Sequence, residues 1–423
     1  MIECSGRNAF LSGVFILVVL VIEVWVFSLE SNQRIKALRA HIFVITGAVL
    51  FACSRYIWKR MSILLPRADR FWICSWTLRV FLALSLLLGQ LSMILGALLV
   101  SKEPSYVNVA SGYFLGIIVF LTFSFVLVDL GLLLGRQVIP KSFRVHVTQA
   151  GFLLALVLTL SGIWYVSQVE VKHVTLPVKG LHPRLNGTTV VQLSDIHLGP
   201  FNGKSALNEL VGRVNGLKPD LVLITGDLVD STVSNLQEAV TPLRDIKSKH
   251  GVYFSTGNHE YYTGDVDSWI EELPRHGVTP LVNQRVCLFG EEKQGCSGGL
   301  YLAGLEDIET RRINYGSHSM DLHSALSGRG EGVPTIVMAH QPWAAVEAIM
   351  WKDVRLVLSG HTHAGQVLPI MFLVYVYNPY FVGLYEPRPS VYVYVNPGSV
   401  FYIMPYRHFF RPEITLFTLT CAV

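Results

Sequence analysis

Leu358-Ser359-Gly360-His361-Thr362-His363-Ala364-Gly365 sets two histidines one residue apart between glycines, directly after the apolar run 354–358. Such a run ending in small residues reads as a buried strand that stops at a tight turn. The glycines let the backbone fold closely enough for both imidazoles to face one point. A His-x-His pair alone carries little weight. Its meaning comes from other strand-then-turn units in the chain, each ending in Asp, His or Asn.

The run 189–193 delivers Asp195 and His197, two residues apart and so on one side of an extended chain. The run 220–225 closes with Gly226-Asp227-Leu228-Val229-Asp230, and 252–256 closes with Gly257-Asn258-His259-Glu260. Asp195, Asp227 and Asn258 recur at βαβ spacing, and right-handed crossovers leave such strand ends on one edge. Ligands bind at that edge in α/β sheets. Apolar residues at helical spacing in 205–217 and 234–249 fit the crossover helices. Runs 300–305 and 335–339 add strands, the second ending in His340-Gln341-Pro342, and 391–395 and 414–420 are expected to complete a second sheet.

The chain has 423 residues, of which 51% are apolar and 15% charged. Soluble domains carry roughly a quarter charged residues. The apolar excess lies in the first 170 positions, where runs at 9–27, 41–58, 80–100, 112–135 and 145–166 are long enough to cross a bilayer. The expected organisation is a multi-pass helical membrane region over 1–168, a linker over 169–187 with Pro177, Gly180 and Pro183, and an α/β domain over 188–423. Glu23, Arg79 and Asp129 interrupt the spans. Each sits near a span end, where an interfacial position accommodates it.

With five spans, Arg7, Arg55, Lys59, Arg60, Arg67, Arg70, Arg136, Lys141 and Arg144 fall on one side, against Arg34, Lys36, Arg39, Lys102, Lys172 and Lys179 on the other. That bias makes the first side cytoplasmic and the C-terminal domain lumenal or extracellular. Cys287 and Cys296 flank a turn-rich loop that a disulfide would close, and Asn186-Gly187-Thr188 is a glycosylation acceptor pattern. The net charge of +4 is small and unclustered, leaving no nucleic-acid footprint.

Asp195, His197, Asp227, Asn258, His259, His340, His361 and His363 are thus expected at one edge. Imidazoles with carboxylates and an amide oxygen suit divalent Mn, Fe or Zn. No cysteine joins them, which argues against a structural zinc. So many groups suit two ions about 4 Å apart sharing a carboxylate rather than one ion.

Asp195-x-His197, Gly226-Asp227-x-x-Asp230, Gly257-Asn258-His259-Glu260, His340 and Gly360-His361-x-His363 resemble, in order and spacing, the motifs of the calcineurin-like metallophosphoesterases. The stretch 360–369 and Arg411-Pro412-Glu413-Ile414-Thr415 look like the branch containing membrane-associated phosphodiesterases and lipid-precursor pyrophosphatases. The resemblance covers about 188–420, and one departure is Ala364, where many members carry glycine. It implies a two-sheet β-sandwich flanked by helices. It also implies that Asp195, His197, Asp227 and His363 hold one metal, and Asp227, Asn258, His340 and His361 the other. A metal-bridging hydroxide would then attack phosphorus, with His259 off the metals and placed to protonate the leaving oxygen. Asp230 would either orient a ligand or cap a helix.

Two look-alikes are set aside. Gly199-Pro200-Phe201-Asn202-Gly203-Lys204-Ser205 is one residue short of a phosphate-binding loop, and His259-Glu260-Tyr261-Tyr262-Thr263 lacks the second histidine of a zinc-protease helix. The runs 367–377 and 381–385 are apolar and aromatic, and read either as a core strand or lid or as a surface that meets the bilayer and admits a lipid-linked phosphate. The leading expectation is a membrane-bound phosphoester or pyrophosphate hydrolase. Its rivals are a transporter or receptor with a non-catalytic ligand-binding domain, and a protein phosphatase.

Overall fold

The computed structural model describes residues 25–26, 28–65, 72–135, 140 and 143–422. The expected first span, 9–27, lies almost wholly outside them. Among the described residues, four helices are long and apolar enough to cross a membrane. They lie within α1 (Ser31–Leu64), α2 (Trp72–Gln90), α4 (Tyr106–Leu134) and α5 (Arg144–Val166). The expected span 80–100 is instead two helices, α2 and the short α3 (Ser92–Leu98), parted at Leu91. Gly89, a weak helix former, lies in the last turn before the break. Asp129 of α4 is matched within the bundle: Arg60 of α1 forms an ion pair with it, and Tyr56 Oη, one turn earlier, donates to it at 2.6 Å.

The C-terminal domain is built on two six-stranded sheets. The first runs β1 (Glu170–Val178), β12 (Glu413–Cys421), β2 (Thr189–Leu193), β3 (Leu221–Thr225), β4 (Val252–Ser255), β5 (Val278–Pro280). The second runs β10 (Gly383–Arg388), β11 (Val391–Val395), β9 (Val354–Ser359), β8 (Thr335–Met338), β7 (Leu300–Gly304), β6 (Gln284–Leu288). The sheets pack face to face, and helices cover their outer faces. β3 shows why every residue in it is buried. Leu221 and Leu223 enter the core between the sheets, whereas Val222 and Ile224 face the helical layer. In that layer α6 (Lys204–Leu217) turns Leu207, Leu210, Val211 and Val214 inward at helical spacing.

Three expectations change. The stretch read as a linker carries β1, an edge strand whose Glu170 pairs in parallel with Glu413. Pro177 is its penultimate residue, and Gly180 and Pro183 lie beyond the strand end. The last strand joins the first sheet rather than the second, antiparallel to β2, because Phe417 and Leu419 fill the core between the sheets while Ile414 and Leu416 face the helices. The helix expected over 234–249 is only two short pieces, Val233–Leu236 and the 3-10 turn Thr241–Asp245. Pro242 cannot donate the backbone bond that a continuous helix needs. Cys287 and Cys296 are disulfide-bonded across the loop after β6.

The domain does not hang free of the helices. Lys204 N–H donates to the Lys102 carbonyl at 2.9 Å, and Glu103 accepts from the backbone and hydroxyl of Ser205. Tyr406 inserts among the long apolar helices, with its hydroxyl on the Tyr113 carbonyl at 2.9 Å. His408 donates through Nε2 to the Leu158 carbonyl at 2.8 Å. Gly116 makes the insertion possible, since a Cβ there would lie 2.1 Å from the Tyr406 ring.

Gly116→Leu is therefore expected to cost about 1–3 kcal/mol by overpacking. Gly131→Leu in the same helix, where nothing lies within 4 Å of the added Cβ, should cost far less. Thermal unfolding of the full-length protein in detergent separates the two. Equal midpoints would show that Tyr406 does not hold the domain to the helices.

Candidate metal centre

Every candidate ligand sits just past the C-terminal end of a strand. β2 delivers Asp195 and His197, β3 Asp227, β4 Asn258, β8 His340, and β9 His361 and His363. The turns are sharp: Asp195, His197, Asp227, His361 and His363 all have positive φ, between 47° and 68°. Such backbone costs about 1–3 kcal/mol per residue and persists where the surrounding structure enforces it. Gly257 is needed by contact rather than by φ. A Cβ there would stand 2.2 Å from Asp227 Oδ1.

Two groups of side chains converge. In the first, His363 Nε2 lies 3.2 Å from Asp195 Oδ1 and 3.0 Å from His197 Nε2. In the second, His340 Nε2 lies 3.1 Å from Asp227 Oδ2, with His361 close enough to share one ion with them. Asn258 Oδ1 sits 2.8 Å from His361 Nδ1. Asp227 joins the groups, since its Oδ2 is also 3.8 Å from His197 Nε2. The His361 amide donates to both oxygens of Asp195, at 3.0 and 3.1 Å.

A third group serves orientation. Asp230 Oδ1 lies 2.8 Å from Nδ1 of both His197 and His259. Accepting from His197 Nδ1 leaves that ring's Nε2 lone pair aimed at the cluster. Asp230 thus contacts two imidazoles and does not cap the following helix, where Thr232 occupies the cap position. His259 belongs to neither of the first two groups. Its backbone N–H donates to Asp227 Oδ1 at 2.8 Å.

The donor set fits divalent cations. His340 donates through Nδ1 to the Thr225 carbonyl at 2.7 Å, so its buried Nε2 would present a lone pair to the Asp227 carboxylate, and that nitrogen has no hydrogen-bond partner. Two acceptors facing each other at this range call for a proton or a cation between them. Oxygen and imidazole donors without a thiolate suit Mn, Fe or Zn. Protons fill the role when cations do not. Burial alone would raise the Asp195 and Asp227 carboxyls, but His363 beside the first and His340 beside the second hold both low. Burial would likewise lower His340 and His259. The Asp227 carboxylate outweighs it at His340, and Asp227 with Asp230 pushes His259 up to about 9. Cation binding at the cluster must then release protons.

Four supporting residues were not singled out from the sequence. Glu260 is fully buried and accepts backbone N–H bonds from Gly257, Asp227, Leu228 and Val229, clamping the turn that bears Asp227. Burial and the Asp227 charge push its carboxyl up to about 8 against those donors. Its place two residues after Asn258 was the available signal. Asp307 stands behind His340, takes Gln341 Nε2 at 2.7 Å, and is pushed by burial up to about 7. Tyr402 lays its ring against His197, with centroids 4.5 Å apart. Arg407 is buried and donates to the carbonyls of His363, Pro397 and Val400. Tyr402 and Arg407 come from a stretch with no periodicity to mark it.

Residues 188–365 match the family model of the calcineurin-like phosphoesterases. The chain is similar to a "Transmembrane protein with metallophosphoesterase domain" of Danio rerio, 38% identical over the whole of this chain and 99% of the relative. A protein of the same name from Bos taurus is 43% identical over 64% of this chain and 62% of its own length. An uncharacterized metallophosphoesterase of Helicobacter pylori is 36% identical over 54% of this chain and 59% of its own.

Asp230→Asn should keep the fold yet weaken Mn²⁺ binding about 10–100-fold, because His197 loses the partner that sets its tautomer. Calorimetric titration of metal-stripped protein measures this, and unchanged affinity would remove Asp230 from the metal centre.

Proposed function

The chain belongs to the calcineurin-like phosphoesterases, and on that footing we propose that it is a membrane-bound, metal-dependent hydrolase of phosphoric esters. The observation that carries this reading is the pair of ligand groups joined through Asp227, with His259 alongside but outside both. Asp195, His197, Asp227 and His363 would hold one cation, and Asp227, Asn258, His340 and His361 the second. When bound, such a pair neutralises phosphate oxygens and brings the pKa of a water near 7.

The protein's own residues do the rest. Asp230 fixes His259 through Nδ1 at 2.8 Å, leaving Nε2 to donate to the leaving oxygen. Burial lowers the basicity of His259, but Asp227 and Asp230 raise it to about 9, so the ring carries the proton at neutral pH. With Asp227 engaged on a cation, less negative charge would face His259 and the ring would give up that proton more readily. Tyr402 closes one side of His197 and keeps its ring in place.

The substrate class we favour is a phosphoric ester or pyrophosphate carried on a lipid. The run 367–377 supports it. There α7 (Ile370–Tyr377) is a helix that buries none of its residues and exposes Phe372, Leu373, Tyr375, Val376 and Tyr377. Aromatic residues displayed this way suit a bilayer interface. We also place the domain on the lumenal or extracellular side. The Cys287–Cys296 disulfide, the exposed Asn186 and the distribution of Lys and Arg support that side.

Purified full-length protein should hydrolyse bis(p-nitrophenyl) phosphate with Mn²⁺ and lose the activity in chelator. Asp227→Asn should be inactive. His259→Ala should lose about 10²–10⁴-fold while still binding Mn²⁺. Activity that survives both the chelator and Asp227→Asn would sink the metal-dependent reading. In vesicles sealed with the lumenal or extracellular face outward, added protease should cleave the domain without detergent, and a glycosidase should shift wild type but not Asn186→Gln. Full protection would place the domain on the cytoplasmic side.

A further inference from the structure

The edge of the metal cluster that carries His259 opens into a cavity of about 220 Å³ whose far wall is made by membrane helices. His259, Asp230 and Tyr402 line its inner end. Ile35, Leu38 and Ile42, on one face of α1, line it from one side, and Met93 and Ala97 of α3 from another. An apolar cavity of roughly 150 Å³ already stays dry and accepts a benzene-sized group. This one has room for a hydrocarbon segment. Its outer rim reaches the lipid-facing surface, since Ile42 is 49% exposed on the outside of α1.

Two arginines interrupt the apolar wall. Arg39 of α1 donates to the Tyr262 carbonyl at 3.2 Å, and among the described residues no carboxylate pairs with it. Arg312, also on the wall, is already paired with Glu309. Arg39 lies at the domain end of α1, just ahead of the apolar run 41–58, at the level where a cation faces lipid headgroups. The α1 end that bears Arg39 is firmly placed. Ile35 packs with Tyr261, in the short helix that also bears His259, and Arg34 donates to the Ile313 carbonyl at 2.7 Å.

We propose that this cavity is the chain-binding site for an anionic amphiphile, entered sideways from the bilayer, with its phosphate at the His259 edge, Arg39 on its negative headgroup and its hydrocarbon along α1 and α3. The assignment of the occupant as substrate rests on the hydrolase reading above. A water-soluble ester uses only the inner end of the cavity, whereas a lipid phosphate uses its full length. Discrimination for lipid is therefore built by the membrane helices rather than by the catalytic domain.

The test uses full-length protein in nanodiscs and a phosphatidic acid with a diazirine in one acyl chain. In metal-free buffer, irradiation should label peptides within 35–43 or 93–97. Unlabelled phosphatidic acid should compete, and diacylglycerol with the same chains should not. Ala97→Trp and Ile42→Trp, which fill the cavity from two sides, should each cut labelling at least tenfold, and Arg39→Gln should weaken competition by phosphatidic acid. With Mn²⁺, both tryptophan variants should lower the ratio of phosphatidic acid to bis(p-nitrophenyl) phosphate hydrolysis at least tenfold. Labelling confined to other segments, or equal competition by diacylglycerol, overturns the site. Labelling with an unchanged ratio shows a resident lipid and overturns its role as substrate. Wild type inactive on both compounds defeats the hydrolase reading, and the labelling arm still decides whether the cavity holds an anionic lipid.

Discussion

Two aspartates, Asp195 and Asp227, are buried where the C-terminal edges of the two sheets meet. Removing carboxylates from water is costly unless positive charge and hydrogen bonds replace it. Much of the domain answers that requirement. Five parallel strands end at one edge so that imidazoles from separate loops reach the carboxylates, and the His259 and His361 amides donate to them. The strained turns follow from the same demand, because a ligand placed directly after a strand end must fold back across it. Glu260 and Arg407 hold the turns in place by binding backbone groups, one accepting from amides and the other donating to carbonyls.

Local chemistry was legible in the sequence, and distant pairing was not. The strands bearing Asp195, Asp227, Asn258, His340 and His361 announce themselves as short apolar runs ended by a small residue and then a polar one, and the structure brings these residues together. The metal assignment built on them is a reading of donor chemistry. What escaped depends on partners far along the chain. Nothing in 170–178 says that it will pair with 413–421, and its proline made a linker the natural reading. The 234–249 pattern had helical spacing, yet Pro242 prevailed over periodicity. Apolar character in 367–377 fitted a core strand as well as an exposed helix, since composition does not state which side of a residue meets water or lipid. Tyr402 and Arg407 act through ring contact and carbonyl binding, which leave no spacing to detect.

The membrane helices and the domain are joined at the site, not merely tethered in sequence. α1 contacts the short helix that bears His259, α3 passes directly to the Lys102 and Glu103 contacts, and the 402–408 segment runs from the His197 ring to the inside of the bundle. Tyr402 and Tyr406 therefore link ring position at the metal cluster to packing among α4 and α5. A change in helix packing has a short physical route to His197.

The pairing of β1 with β12 bears on how the molecule is made. β1 is the first described strand after the last apolar helix, and among the described residues its one neighbour in the sheet is β12, which follows every other strand in sequence. While the ribosome completes everything between them, β1 has no hydrogen-bonding partner and remains an open strand edge beside the bilayer. Such edges invite mispairing with other chains. Biogenesis therefore needs either a chaperone to shield this segment or a late, concerted closure of the first sheet, and a chain truncated before 413 would leave the membrane region carrying a permanently exposed strand.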